Sequence, residues 1–170
     1  VVAIVSPSPA EAGSITLAAP SAVLLDGASQ QMLYARAPHA KRAPASTTKL
    51  LTVMVALDHL SLDRIVRIPD GMQYVQPSKI GLHAGETFYV RDLVKAALIR
   101  SANDAAEALA ILTAGSRLEF AHLMNRKAKS IGAYNSNFIN PSGLPASGHY
   151  STAYDLARIM MAASRYPFIV

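Results

Sequence analysis

Ser46 and Lys49, three residues apart in Pro44-Ala-Ser46-Thr-Thr-Lys49, are the first pair in this chain equipped for covalent chemistry. Positions i and i+3 share one face of a helix. A serine hydroxyl is a poor nucleophile until a base takes its proton, and a lysine can act as that base only as the neutral amine. Burial, the positive end of a helix and neighbouring cations each lower a lysine's pKa, so the first turn of a buried helix suits this role. The same turn offers backbone N–H groups to a developing oxyanion. A purely structural reading competes: Ser46 as helix N-cap, with Lys49 in solvent. The second feature is Ser101-Ala-Asn103, in a break between two helical patterns. Such a turn can aim a hydroxyl and an amide at one point. As plain capping, Ser101 ends one helix and Asn103 or Asp104 starts the next. Spacing alone leaves both readings open at both places.

Other chemistries find little support. The chain lacks H-E-x-x-H, G-x-G-x-x-G, Walker and G-x-S-x-G patterns. It has no cysteine, which excludes disulfides, thiolate zinc sites and a Cys nucleophile together. The five histidines (His39, His59, His83, His122, His149) have no metal-ligand spacing, so no metal site is expected and surface or helix-flank roles are. His149, beside Tyr150, is the one expected to border a cleft. The net charge of +5 comes without a basic stripe interleaved with aromatics, so nucleic acid is not an expected partner. A chain that is 51% hydrophobic and 16% charged is not a disordered tail, and it has no apolar run of 18 residues.

The elements that must position these residues follow from pattern. Short apolar runs at Ser21–Leu25 and Gln31–Tyr34 flank Asp26-Gly27, a hairpin signal. Leu50, Leu51, Met54 and Leu57 fall at helical spacing from Thr47 to about Leu60, and Val53, Val55 and Ala56 make that helix apolar nearly all round, hence central. Further helices are predicted over Arg91–Arg100, Asp104–Thr113, from the Ser116-Arg-Leu-Glu119 capping box to Gly132, and from Ser151-Thr152 to Ser164. Asp104 and Glu107 read as a second capping box. Short strand-like pieces stand at Arg64–Ile68 and Phe88–Val90, and a loop spans residues 135–150. Met54, Met124, Met160 and Met161 read as core filler. Because one hairpin is not stable alone, its partner strands are expected beyond Val170. The fold class is α+β, with N- and C-terminal strands in one sheet.

In order along the chain, S-x-x-K followed by S-x-N forms the first two elements of the serine penicillin-recognising set, whose third is K-T-G. The stretches Ala43-Pro-Ala-Ser-Thr-Thr-Lys49, Leu98-Ile-Arg-Ser-Ala-Asn-Asp-Ala-Ala106, Asn140-Pro-Ser-Gly-Leu144 and Gly148-His-Tyr-Ser-Thr-Ala-Tyr-Asp-Leu-Ala157, with the Gly85–Leu93 segment, resemble the D-alanyl-D-alanine carboxypeptidases, the low-molecular-weight penicillin-binding proteins. The resemblance runs from about Ala19 to Val170 and implies a β-lactamase/transpeptidase-like antiparallel sheet flanked by helices. It implies that Ser46 attacks the penultimate D-alanine carbonyl of a peptidoglycan stem peptide, with Lys49 as base. Ser101 would relay protons, and Asn103 would bind the substrate peptide and steady Lys49. Penicillins would acylate Ser46 as substrate mimics, and no cofactor is implied.

One departure matters: Lys129-Ser130 is followed by Ile131, so no Lys-Thr-Gly or Lys-Ser-Gly is present. In the family that triad lies on a later strand, which is expected beyond Val170, and the isolated segment is expected to be inactive or barely folded. Residues 1–18 read as a signal-peptide remnant and leader, on the small residues of Ala10-Glu-Ala12, and 19–170 as an incomplete carboxypeptidase domain. The protein is therefore expected in the periplasm or an equivalent extracytoplasmic space, with any membrane anchor C-terminal to this chain. The alternatives are a β-lactamase of the same fold, a catalytically inactive peptidoglycan-binding or morphology protein, and an intracellular serine hydrolase, which the signal-like start disfavours. No E-x-x-x-N or E-x-x-N pattern of the β-lactamase kind occurs.

Overall fold

The structure, a computed structural model, describes residues 17–170. The leader pattern at Ala10-Glu-Ala12 lies outside the described residues. A helix over Thr48–Leu57, α1, forms the centre: eight of its ten residues are buried, Thr48, Lys49 and Leu51–Ala56. It contacts every other helix, namely α2 (Val90–Ile99), α3 (Asn103–Ala114), α4 (Arg117–Ser130) and α5 (Ala153–Ala163). Its all-round apolar sequence is what this position demands.

Two cores meet on α1. Val53 and Ala56 pack with Leu93, Val94 and Leu109 from α2 and α3. Leu51, Met54 and Val55 pack with Phe120, Met124, Phe138 and Ile159 on the other side. Each fully buried side chain of this size contributes about 1.5–3 kcal/mol, so the helix carrying Lys49 is held firmly on both sides.

Among the described residues, two two-stranded antiparallel sheets accompany the helices. β1 (Ala22–Leu25) pairs with β2 (Met32–Arg36), with a register shift between Leu24 and Leu25. The turn is built by Asp26 and not by a two-residue Asp-Gly corner. Its Oδ1 accepts from the Ala28 and Ser29 amides and the Ser29 hydroxyl, and Gln30, with φ 61°, takes the left-handed position expected of Gly27. The Ser29 amide bond, the largest influence, holds the Asp26 carboxyl below its usual pKa. The two strand-like pieces pair with each other as β3 (Ile65–Arg67) and β4 (Thr87–Tyr89), and β4 runs straight into α2.

The helix boundaries agree with the pattern to within a few residues, but two details differ. Ser116 caps α4 by accepting from the Glu119 amide at 3.2 Å, as expected. The second capping box does not form: the N-cap position of α3 is Ala102, without a side-chain cap. Asp104 bonds to a separate loop and Glu107 pairs with Arg117. Burial, its largest influence, raises the Glu107 pKa against the pull of Arg117. Met160 is 54% exposed although Met54 and Met124 are fully buried. In α5 the buried positions are Asp155, Ile159 and Ala163, spaced by four, and position 160 lies about 100° further round the helix.

Candidate active site

Ser46 lies in a single 3-10 turn, Ala45–Thr47, that leads into α1. Pro44 occupies the N-cap position, and no side chain caps either the turn or the helix. The capping reading of Ser46 is thus ruled out, and so is a solvated Lys49. Ser46 is exposed, whereas Lys49 is only 2% exposed. The Lys49 ammonium Nζ lies 3.3 Å from Ser46 Oγ and donates to the Ser142 carbonyl at 2.8 Å. Among the described residues no carboxylate lies within ion-pair distance of Lys49. Burial without a counter-charge pushes its pKa down, which favours the neutral amine.

The carbonyl that holds Lys49 belongs to the 140–144 loop, which the sequence singled out without assigning it a task. The loop braces itself: Asn140 Oδ1 accepts from the Gly143 amide at 2.8 Å, and Asn140 Nδ2 donates to the Leu144 carbonyl at 2.8 Å. It is fastened to α1 by Thr52, whose hydroxyl donates to the Pro141 carbonyl at 2.7 Å. Gly143 permits this docking. It sits at φ 84°, and a Cβ there would stand 1.8 Å from the carbonyl oxygen of Ala45, in the turn that carries Ser46. Gly143→Ala is expected to lower stability by more than about 3 kcal/mol, or to force the loop off α1 and take the Ser142 carbonyl from Lys49. Urea denaturation tests this; stability within about 0.5 kcal/mol of wild type, with acylation intact, would contradict it.

Ser101 and Asn103 reach the same place from the α2–α3 junction. A cleft of about 240 Å³ is lined by Ser46, Ser101 and Asn103, by Pro77 and Ser78 of the loop before β4, and by the 142–145 segment. Ser101 has φ 52°, a left-handed conformation that is costly for a residue with a side chain and recurs at functional sites. It makes no hydrogen bond to Ser46 or Lys49 in this structure. Asn103 does not touch Lys49 either; its Nδ2 donates to the Gln76 and Pro77 carbonyls at 3.1 and 3.0 Å. Three of the four predicted residues, Ser46, Ser101 and Asn103, therefore line one cleft; Lys49 does not line it but lies within hydrogen-bond distance of Ser46, the one hydrogen bond among the four.

His149 lies behind this cleft and does not line it. It is 7% exposed, with Nε2 3.3 Å from Thr48 Oγ1 and Nδ1 accepting from the Ile139 amide at 3.3 Å. An accepting Nδ1 assigns the neutral imidazole with its proton on Nε2, and burial lowers its pKa in the same direction. The sequence missed this pin between α1 and the loop because nothing local to His149 signals a partner 101 residues earlier.

An exposed serine beside a buried lysine, with a second serine and an asparagine across a small cleft, stands on a helix-rich α+β scaffold of the penicillin-binding type. The D-alanyl-D-alanine carboxypeptidase family model matches residues 6–169, and the chain belongs to that family. It is 37% identical over 156 residues to the D-alanyl-D-alanine carboxypeptidase DacF of Bacillus subtilis, covering 89% of this chain and 40% of that protein. It is 36% identical over 168 residues to the carboxypeptidase DacD of Escherichia coli, covering 92% and 42%. The crystal structure of DacD from Francisella tularensis superposes with a TM-score of 0.84 at 35% identity, covering 98% of this chain and 40% of that one. The chain thus spans about 40% of the length of these relatives.

Proposed function

We propose that this chain is the nucleophile-bearing part of a serine D-alanyl-D-alanine carboxypeptidase that trims the terminal D-alanine from peptidoglycan stem pentapeptides in the extracytoplasmic cell-wall space. The observation that carries this reading is the 3.3 Å approach of a buried lysine on the central helix, with no carboxylate within ion-pair distance among the described residues, to an exposed serine hydroxyl in the turn that leads into that helix. Membership of the family and the printed activity of the relatives support the substrate class.

In this mechanism the neutral Lys49 amine accepts the Ser46 proton while Oγ bonds to the carbonyl carbon of the penultimate D-alanine. The tetrahedral intermediate collapses by breaking the amide C–N bond. The terminal D-alanine leaves as an amine, having received a proton relayed from Lys49 through the Ser101 hydroxyl. Water, deprotonated by the same lysine, then attacks the ester, and its cleavage returns the proton to Ser46 Oγ. Asn103 contacts the substrate peptide. A penicillin enters the same path, its β-lactam C–N bond taking the place of the peptide bond, and remains as a penicilloyl ester on Ser46.

The complete protein tests this directly. Release of D-alanine from a synthetic peptide ending in D-Ala-D-Ala, with a penicilloyl adduct mapped by mass spectrometry to the peptide carrying Ser46, is the expected result. Turnover of nitrocefin faster than release of D-alanine would assign a β-lactamase instead, and neither adduct nor release would assign an inactive peptidoglycan-binding protein.

A further inference from the structure

One wall of the cleft has no hydrophobic anchor. Val75 and Leu82 are buried, 7% and 2% exposed, but the six residues between them, 76–81, are all exposed. Burial of apolar surface fixes the two ends of this segment and contributes little to its middle, where Pro77 and Ser78 line the cleft. Besides the Ser78 hydroxyl, which donates to the Arg100 carbonyl at 3.4 Å, the middle is held by two adjacent residues at the start of α3. The Asn103 amide N–H donates to the Ser78 carbonyl at 2.7 Å, and its side chain donates to the Gln76 and Pro77 carbonyls. Asp104, fully buried, supplies the opposite polarity: its Oδ2 accepts from the amides of Ile80, Gly81 and Leu82 at 3.1, 2.8 and 3.0 Å, and its Oδ1 from Ala105 at 2.9 Å. Hydrogen bonds to an ionised acceptor are stronger than neutral ones, and a buried acceptor shared by three amides cannot be replaced by water without opening the structure.

We propose that Asp104 is a positioning residue for acyl transfer: its carboxylate fixes the 76–82 wall of the cleft and, through the Gln76 and Pro77 carbonyls, the side-chain amide of Asn103. It touches no reacting atom. The carboxylate clasps the loop from its far end, and the loop clasps Asn103 in return, so loosening either frees both. This inference rests on the carboxypeptidase reading above.

Three measurements on the complete protein test it. Wild type is first acylated with a labelled penicillin; absence of a Ser46 adduct would defeat the carboxypeptidase reading itself, independently of Asp104. Amide hydrogen exchange of the wild type comes second: Ile80, Gly81 and Leu82 should be protected to the level of α3 although Ile80 and Gly81 are exposed, and free exchange at these two would overturn the proposal whether or not any variant folds. Third, Asp104→Asn, which keeps the size and removes the charge, is expected to speed exchange at 80–82 at least 30-fold. It should also lower the second-order acylation constant about 30-fold or more. Tyr166→Phe serves as a destabilised control remote from the cleft, removing a hydroxyl bonded to Asp58 and Lys127. It should acylate at the wild-type rate. Normal acylation by Asp104→Asn with a freed loop, or an equal loss in Tyr166→Phe at matched stability, would overturn the assignment.

Discussion

Ser46→Ala is expected to eliminate the penicilloyl adduct and to reduce D-alanine release by about four orders of magnitude or more, with the fold unchanged. The magnitude follows from the reaction type. Removing the nucleophile of a covalent mechanism leaves only binding and oxyanion stabilisation, and the loss is comparable to removing the whole catalytic group. The absence of a structural cost follows from the site. Ser46 Oγ caps no helix, its side chain is exposed, and its one side-chain partner is Lys49, so substitution falls in the class that moves stability by no more than about 0.5 kcal/mol. Thermal denaturation and intact-protein mass spectrometry after incubation with a penicillin read the two halves separately. An adduct that persists in Ser46→Ala on Ser78, Ser101 or Ser142, the other cleft serines, would remove Ser46 from the mechanism.

Lys49→Met is expected to lower acylation about a thousandfold, the range for losing a positioned base, while retaining the shape that fills the core beneath the nucleophile. The accompanying pH signature is more specific. Burial lowers the Lys49 pKa in the folded protein below the 10.5 of an unperturbed lysine. Between those two values the unfolded chain binds the proton and the folded chain does not, so wild-type stability rises with pH through that window. Below the folded pKa the buried charge costs stability, and this cost is relieved only as pH climbs. Lys49→Met lacks the rise. Urea denaturation at pH 7 and pH 10 should therefore show a smaller gain for the variant than for wild type, with every other titrating group common to both. Acylation by wild type should also climb with pH as the amine becomes neutral, and a residual rate in Lys49→Met should not. Equal pH dependence of the two proteins would mean that Lys49 is charged and paired, and the base would have to be sought elsewhere.

Local pattern carried a good part of this architecture. The apolar surround of Leu50–Leu57 announced a buried helix, the Ser116 cap announced α4, and Thr152 announced α5; each depends on residues within one or two turns of one another. Asp104 and Glu107 were misread for the same reason. A carboxylate in a first turn has the same sequence signature whether it accepts from its own helix or from a loop, and here the loop lies more than twenty residues earlier. The Asp26 turn shows the complementary case: its side chain closes the corner as a short-range signal promised, but the left-handed residue is Gln30, since Asp26 already satisfies the amides that a Gly27 corner would have used.

The pairing of Ser46 with Lys49 was also within reach of the sequence, because a three-residue spacing at a helix start brings the two side chains together whatever surrounds them. Their chemical state was not. Lys49 is a candidate base because the Ser142 carbonyl, 93 positions away, holds it in the interior and, among the described residues, no carboxylate lies within ion-pair distance of it. The gap that lets this loop approach is one missing Cβ at Gly143, and the far wall of the cleft stands on three amides gathered by Asp104. Spacing determined which atoms could meet; dielectric surroundings and counter-charges, which set a pKa, exist only once distant segments have packed.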